Sequence, residues 1–172
     1  MKPLALITGL SAVFLYLVSF QFPKRRTIIA CNVVSRVLYI LQYLMLLAFE
    51  GAAMDISAIP SSLLAARKNR PFVQKHKVLI LVAVNGFILL LGALVWQDRL
   101  SWIPIAGVLL ETNAMWFTEE KHIRALSLTS LPFWLVYNIS CQAYGSVLGN
   151  LLAMVSIYSA IARFDLRKQK NP

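Results

Sequence analysis

The sequence predicts an all-α membrane protein, and three observations carry that prediction. Apolar residues make up 59% of the 172 residues and charged ones only 14%, with a mean hydropathy of +0.68, which is not the balance of an ordinary soluble domain. The apolar residues come in runs about long enough for a helix to cross a roughly 30 Å hydrocarbon layer, where a barrel would show short alternating segments. The basic residues fall in short clusters between those runs. Their surplus, a formal charge of +10, therefore reads as membrane topology and not as a nucleic-acid footprint, which would line one helix face.

Taken in order, the runs predict seven spans at about 3–20, 27–48, 51–67, 77–96, 101–117, 124–141 and 144–163. The first, "LALITGLSAVFLYLVSF", has the apolarity of a signal peptide. Only Lys2 precedes it, however, "PKRR" follows it, and no small-residue cleavage site separates the two, so it is expected to stay as a span. The third, fifth and seventh runs are marginal on apolarity alone. Charge supports them: Lys24, Arg25 and Arg26 follow the first span, Arg67, Lys68, Arg70, Lys75 and Lys77 the third, Lys121 and Arg124 the fifth, and Arg163, Arg167, Lys168 and Lys170 the seventh. Of the 17 basic residues, all but Lys2, Arg36 and Arg99 lie in these alternate loops. The positive-inside rule then sets the amino terminus outside and the carboxyl terminus in the cytoplasm, as an odd number of spans requires.

An internal repeat organises the spans. "YLMLLAFEGAAMDISAIPSSLLAARK" from residue 43 aligns with "YNISCQAYGSVLGNLLAMVSIYSAIAR" from residue 137 at an offset of 94, which matches Tyr43 with Tyr137 and Gly51 with Gly145. Identity is weak, but basic or mixed-charge loops ("PKRR", "EEKHIR") precede the second span of both halves, leaving the fourth span unmatched. The reading is two parallel three-helix bundles and a linker helix, 3+1+3: residues 1–70, a linker loop and fourth helix at 71–98, residues 99–163, and a basic cytoplasmic tail at 164–172.

That order resembles the SWEET and PnuC superfamily of small-solute transporters, and "SFQFPKRRTIIACNVVSRVLYILQYLMLLAFEGAAMDISAI" resembles the bacterial YgjV-type inner membrane proteins. The resemblance implies two bundles around a central pathway opened by alternating access. SWEET proteins hinge on prolines in the first two helices of each bundle. Here Pro132 in the sixth span fits, Pro104 sits at a helix start, Pro60 interrupts the third span, and spans one and two have no interior proline.

Polar residues within the spans are periodic. Asn32, Arg36, Tyr39 and Tyr43 share one face of the second span, with Ser35 and Gln42 at its edge. Ser127, Ser130, Trp134, Tyr137 and Cys141 share a face of the sixth. Neither face suits lipid, so the two are expected to look inward. In the seventh span Gln142, Ser146 and Asn150 recur beside a small-residue ridge of Gly145, Gly149 and Ala153, which allows close helix approach. Arg36 lies roughly 13 Å from the basic end of its helix and Glu111 roughly 10 Å from that end of its own. A guanidinium at such depth needs a partner, so Arg36 and Glu111 are expected to pair between the bundles, gating or coupling the path. Asp55, about a turn below the outer face, is read as too high to reach Arg36: a mouth residue, or a helix amino-terminal acid favoured by the dipole. By the resemblance, an aromatic and a third-helix asparagine form the pocket, and Trp134 and Asn150 stand in suitable places, while Ile56 matches Asn150 in the first bundle. Tyr137, Asn138, Asn32 and Tyr39 complete the expected lining, suited to a sugar, nucleoside or zwitterion.

Other chemistry is not written in the chain. It has no Gly-rich phosphate loop, no HExxH and no CxxC, and His76 and His122 fall in basic loops, so no enzyme, metal or cofactor is expected. Cys31 and Cys141 lie near opposite ends of their spans, too far apart to bridge. Trp96, Trp102, Trp116 and Phe117 read as interfacial belts, and "RKNRPFVQKHK" as a connector on the anionic membrane surface. The expectation is a facilitator or ion-coupled carrier of a small polar metabolite in the bacterial inner membrane, with self-association open. Its rival is a non-transporting receptor or assembly factor whose polar core is structural.

Overall fold

The computed structural model describes residues 2–19 and 25–166, and these are helical throughout apart from turns. The helices are α1 (Lys2–Ser19), α2 (Arg25–Met45), α3 (Phe49–Ala65), α4 (Pro71–Lys75), α5 (Lys77–Leu94), α6 (Trp102–Ala114), α7 (Glu120–Ser140) and α8 (Tyr144–Ala160), the last continued by a π-helical segment, Ile161–Leu166. Lys24 and residues 167–172 of the expected basic tail lie outside the described residues. All seven expected spans correspond to helices, with ends moved by a few residues. The short α4 was expected only as a polar connector; Pro71 starts it, where a missing N–H costs nothing.

Among the described residues two helices, Lys77–Leu94 and the stretch Tyr144–Arg163, are long and apolar enough to cross a membrane by length and composition. α5 turns almost all of its surface outward, Leu79, Val82, Leu89, Leu90 and Leu94 included, and buries only Ile88 and Gly92. α3 instead carries Glu50 and Asp55, and α6 has only 13 residues. α3 also continues through Pro60, where an interruption was expected. A proline within a helix frees one carbonyl, which packed neighbours can accommodate.

The α2–α3 and α7–α8 turns are the same structure. Leu47 and Gln142 both adopt φ 59°, the left-handed cap more often filled by glycine. Ala48 N–H donates to the Tyr43 carbonyl at 2.9 Å, and Ala143 N–H to the Asn138 carbonyl at 2.8 Å. Adding 95 carries Arg25–Met45 onto Glu120–Ser140, Phe49–Ala65 onto Tyr144–Ala160, and Leu47 onto Gln142. The repeat register is therefore 95, not the 94 read from the sequence. Matching tyrosines and glycines favoured 94; the backbone cap decides otherwise. Tyr43 is the mate of Asn138, Gly51 of Ser146, and Asp55, not Ile56, of Asn150.

Packing follows the repeat. α1 lies against α2 and α8, α3 against α2 and α6, and α7 against α6 and α8, so six helices close a ring with α5 outside it on α3 and α6. Exchanging the repeats maps each contact within the ring onto another, while the contacts of α5 have no counterpart. Tyr43 and Asn138, which are mates, also touch: Tyr43 Oη donates to Asn138 Oδ1 at 2.7 Å, which puts this bond on the pseudo-two-fold axis. Flanking it are the equivalent bonds Gly51 N–H to Tyr137 Oη and Ser146 Oγ to Gln42 Oε1, both 2.7 Å.

Candidate functional site

Arg36 holds two carboxylates. Its Nη2 is 2.5 Å from Glu111 Oε1 and its Nη1 2.9 Å from Asp55 Oδ1, so α2, α3 and α6 meet at one guanidinium and the two repeats are joined by charge. The Arg36–Glu111 pair is the one expected from matched depths. The Asp55 contact corrects the reading that placed this residue too high. α3 starts at Phe49 instead of 51, so Asp55 lies about 9 Å below the turn end. Arg36 and Glu111 lie about 14 Å below theirs, a difference of about one helical turn. A guanidinium on a three-carbon stem spans that. Asp55 is 7% exposed, Arg36 15% and Glu111 26%, so Glu111 is the most accessible of the three. Tyr16, the repeat mate of Glu111, and Tyr39 lie within electrostatic reach of the cluster.

Charge does not follow the repeat. The mates of Arg36, Asp55 and Glu111 are Leu131, Asn150 and Tyr16. The side of the ring where α2, α3 and α6 meet thus carries the three ions, and the equivalent positions on α7, α8 and α1 hold a leucine, an asparagine and a tyrosine.

The remaining expected lining residues fall into two sets. Tyr137 and Asn138 are buried and satisfied by Gly51 and Tyr43, with the Tyr43 and Tyr137 rings 6.0 Å apart. Trp134 and Asn150 have N–H groups to spare: Trp134 Nε1 and Asn150 Nδ2 are buried with no hydrogen-bond partner among the described residues. Trp134 is only 6% exposed and lies edge-on to Tyr137 at 6.4 Å, with its indole nitrogen 3.1 Å from where a Cβ on Gly107 would be. Tyr39 is half-buried, and its Oη would be 2.9 Å from a Cβ on Gly149. The α8 ridge therefore makes room for a polar side chain of α2. The side chain of Asn32 lies outside the described residues. Cys31 and Cys141 are both free.

Two polar features were not assigned from the sequence. Gln42, noted only at the edge of its stripe, is fully buried and joins α2 to α8 through Ser146. Lys68 caps the end of α6, donating to the Met115 and Phe117 carbonyls at 3.2 and 2.6 Å, beside buried Trp116, Ala65 and Val73. Trp116, expected in an interfacial belt, is thus a core residue at the basic end. Its spacing is that of either role, and only the neighbouring α3 and α4 distinguish them.

A ring of helices with apolar outer faces and a buried, charge-paired centre defines a helical membrane protein with a polar interior. The model for the Imp-YgjV family, described as bacterial inner membrane protein, matches residues 4–168; the chain belongs to this family. No curated protein and no solved structure matches the chain.

Proposed function

We propose that this inner membrane protein is a transporter, a facilitator or ion-coupled carrier, for a small polar metabolite. In this reading seven spans, arranged 3+1+3 as in the SWEET and PnuC superfamily, expose the centre alternately to the two sides of the membrane. The observation that carries it is the Arg36–Asp55–Glu111 cluster at mid-depth between the repeats. Ionised groups in a membrane interior are costly and belong to ion and substrate paths. Arg36 and Glu111, one from each repeat, would gate or couple, with Asp55 holding the arginine when Glu111 is released. Trp134 Nε1 and Asn150 Nδ2, donors without acceptors among the described residues, would meet the solute, with Tyr39, Tyr137 and Asn138 in the same lining and Asn32 proposed to complete it.

A second reading, a receptor or assembly factor with a structural core, is favoured by the satisfied Tyr43–Asn138 and Gly51–Tyr137 bonds. Uptake by proteoliposomes separates the two. A panel of labelled sugars, nucleosides and amino acids should include one solute taken up faster than by empty vesicles. Trp134→Ala and Asn150→Ala should each lower that uptake at least tenfold at unchanged folded yield. No uptake of any class leaves the structural reading, whereas uptake indifferent to both substitutions removes the Trp134 and Asn150 assignment.

A further inference from the structure

At the basic end of the molecule α4 and α5 meet at His76, which at φ −108° and ψ 19° ends one helix and begins the other. Together they enclose a cleft of about 470 Å³, walled beside His76 by Gln74, Lys75, Lys77, Val78, Leu79 and Val82. The corner is held in place. Val73 of α4 is buried against Ala65 and Trp116 at the end of the ring, and the Phe72 ring lies 4.8 Å from that of His76. Two residues beyond Val73, Lys75 is turned about 200° from it and so away from the ring. Lys75 and Lys77 are both exposed. Among the described residues no carboxylate lies within ion-pair distance of either.

The wall changes character along α5. Its start carries the cations, and Val78, Leu79 and Val82, spaced for one helical face, are 75%, 68% and 65% exposed. A ligand that fills this cleft must be anionic at the basic end and apolar along the span. A free phosphate ion would meet the lysines and leave the apolar wall bare. A zwitterionic headgroup brings an ammonium for which the wall has no acid. An anionic phospholipid answers both parts: its phosphate takes charge-assisted bonds from two ammonium groups, Gln74 offers an amide to the rest of the headgroup, and an acyl chain runs down the exposed stripe.

We propose that the α4–α5 corner is a binding site for one anionic phospholipid, with Lys75 and Lys77 as counter-charges to the headgroup phosphate and Val78, Leu79 and Val82 as the seat of an acyl chain. This is more than the attraction of any basic loop to an anionic surface, because position and not charge count decides it. Arg67 and Arg70 are exposed at the same end and do not line the cleft. The site does not depend on the transport function proposed above. Since α4 and α5 join the two repeats, a lipid bound here ties the linker to the membrane surface.

The test is native mass spectrometry of the purified full-length protein in a neutral detergent, titrated with phosphatidylglycerol and phosphatidylcholine of identical acyl chains. One phosphatidylglycerol should be retained per chain, saturably and at least fivefold in preference to phosphatidylcholine, and a tenfold excess of inorganic phosphate should not displace it. These measurements need no variant. Lys75→Gln with Lys77→Gln should abolish the preference, whereas Arg67→Gln with Arg70→Gln, which removes the same charge outside the cleft, should keep it. Val82→Trp fills the cleft with both lysines intact and should lower retention at least fivefold; thermal midpoints check that each variant is folded. Equal retention of the two lipids, or equal loss in the two double variants, would reduce the site to diffuse surface charge and overturn it. Displacement by phosphate, or a Val82→Trp protein that retains the lipid undiminished, would overturn it in favour of an anion site without a lipid.

Discussion

With Arg36 between Asp55 and Glu111, one half-buried cation faces two anions, and the three positions respond unequally to neutralisation. Arg36→Gln leaves two carboxylates inside the ring with no counter-charge, a change that costs about 3–5 kcal/mol where one partner of a buried pair is lost. Glu111→Gln leaves Arg36 and Asp55 as a neutral pair, so its cost should be nearer the roughly 1 kcal/mol of the hydrogen bond lost. Unfolding by a denaturing detergent in mixed micelles measures both. Arg36→Gln should be the more damaging by at least about 2 kcal/mol, and equal costs would contradict the account of three coupled charges. At this scale the sequence shows the pair but not the triad. Arg36 and Glu111 can be placed in depth by counting residues from basic loops whose positions are plain. Asp55 follows a turn with no glycine or proline to mark it, and a two-residue error in the start of α3 moves a side chain by about 3 Å, enough to turn a contact into a miss.

Helices meet where small residues allow it, and α1 crosses α8 at Gly9 and Gly145. A Cβ on Gly145 would lie 2.8 Å from the Gly9 backbone, which cannot rotate away as a side chain could, whereas a Cβ on Gly86 of α5 would meet nothing within 4 Å. Gly145→Val should therefore push α1 from α8 and cost about 1–3 kcal/mol or more, the usual range for overpacking. Gly86→Ala should be neutral or stabilise by up to about 1 kcal/mol through the lower flexibility of alanine in the unfolded chain. Folded yield and thermal midpoint, compared in one membrane preparation, check the contrast; equal effects would show that the α1–α8 crossing is not tight. The ridge of Gly145, Gly149 and Ala153 was legible, because spacing by four is a local pattern. Its partner was not, since nothing in α1 says which helix it will lie against. The repeat shows the same division. Its existence could be read from the order of elements, but its register was set by the left-handed caps at Leu47 and Gln142, residue types that do not announce that conformation.

Across the whole molecule, the two ends of the ring differ in charge. The end where α3, α6 and α8 finish carries Arg67, Lys68, Arg70, Lys75, Lys77, Lys121, Arg124 and Arg163, and the other carries Lys2 and Arg99 among the acids Glu50 and Asp98. This asymmetry is independent of side-chain packing, which is why the sequence alone displays it. It also bears on orientation, because Lys2 and the capped end of α6 at Lys68 lie at opposite ends. Basic loops resist translocation, so the Lys68 end should face the cytoplasm and the Lys2 end the periplasm. Asn69 and Asp98 are both exposed, and a Cys31→Ser, Cys141→Ser background leaves an introduced thiol as the sole target for a membrane-impermeant maleimide. In spheroplasts the Asp98→Cys variant should label at once and the Asn69→Cys variant only after lysis. The opposite pattern would invert the protein and place the Lys2 end on the cytoplasmic side. Labelling of both variants in intact spheroplasts would mean that residues 69 and 98 share a face, which α5, with 18 residues and a mostly exposed apolar surface, could satisfy only by failing to span.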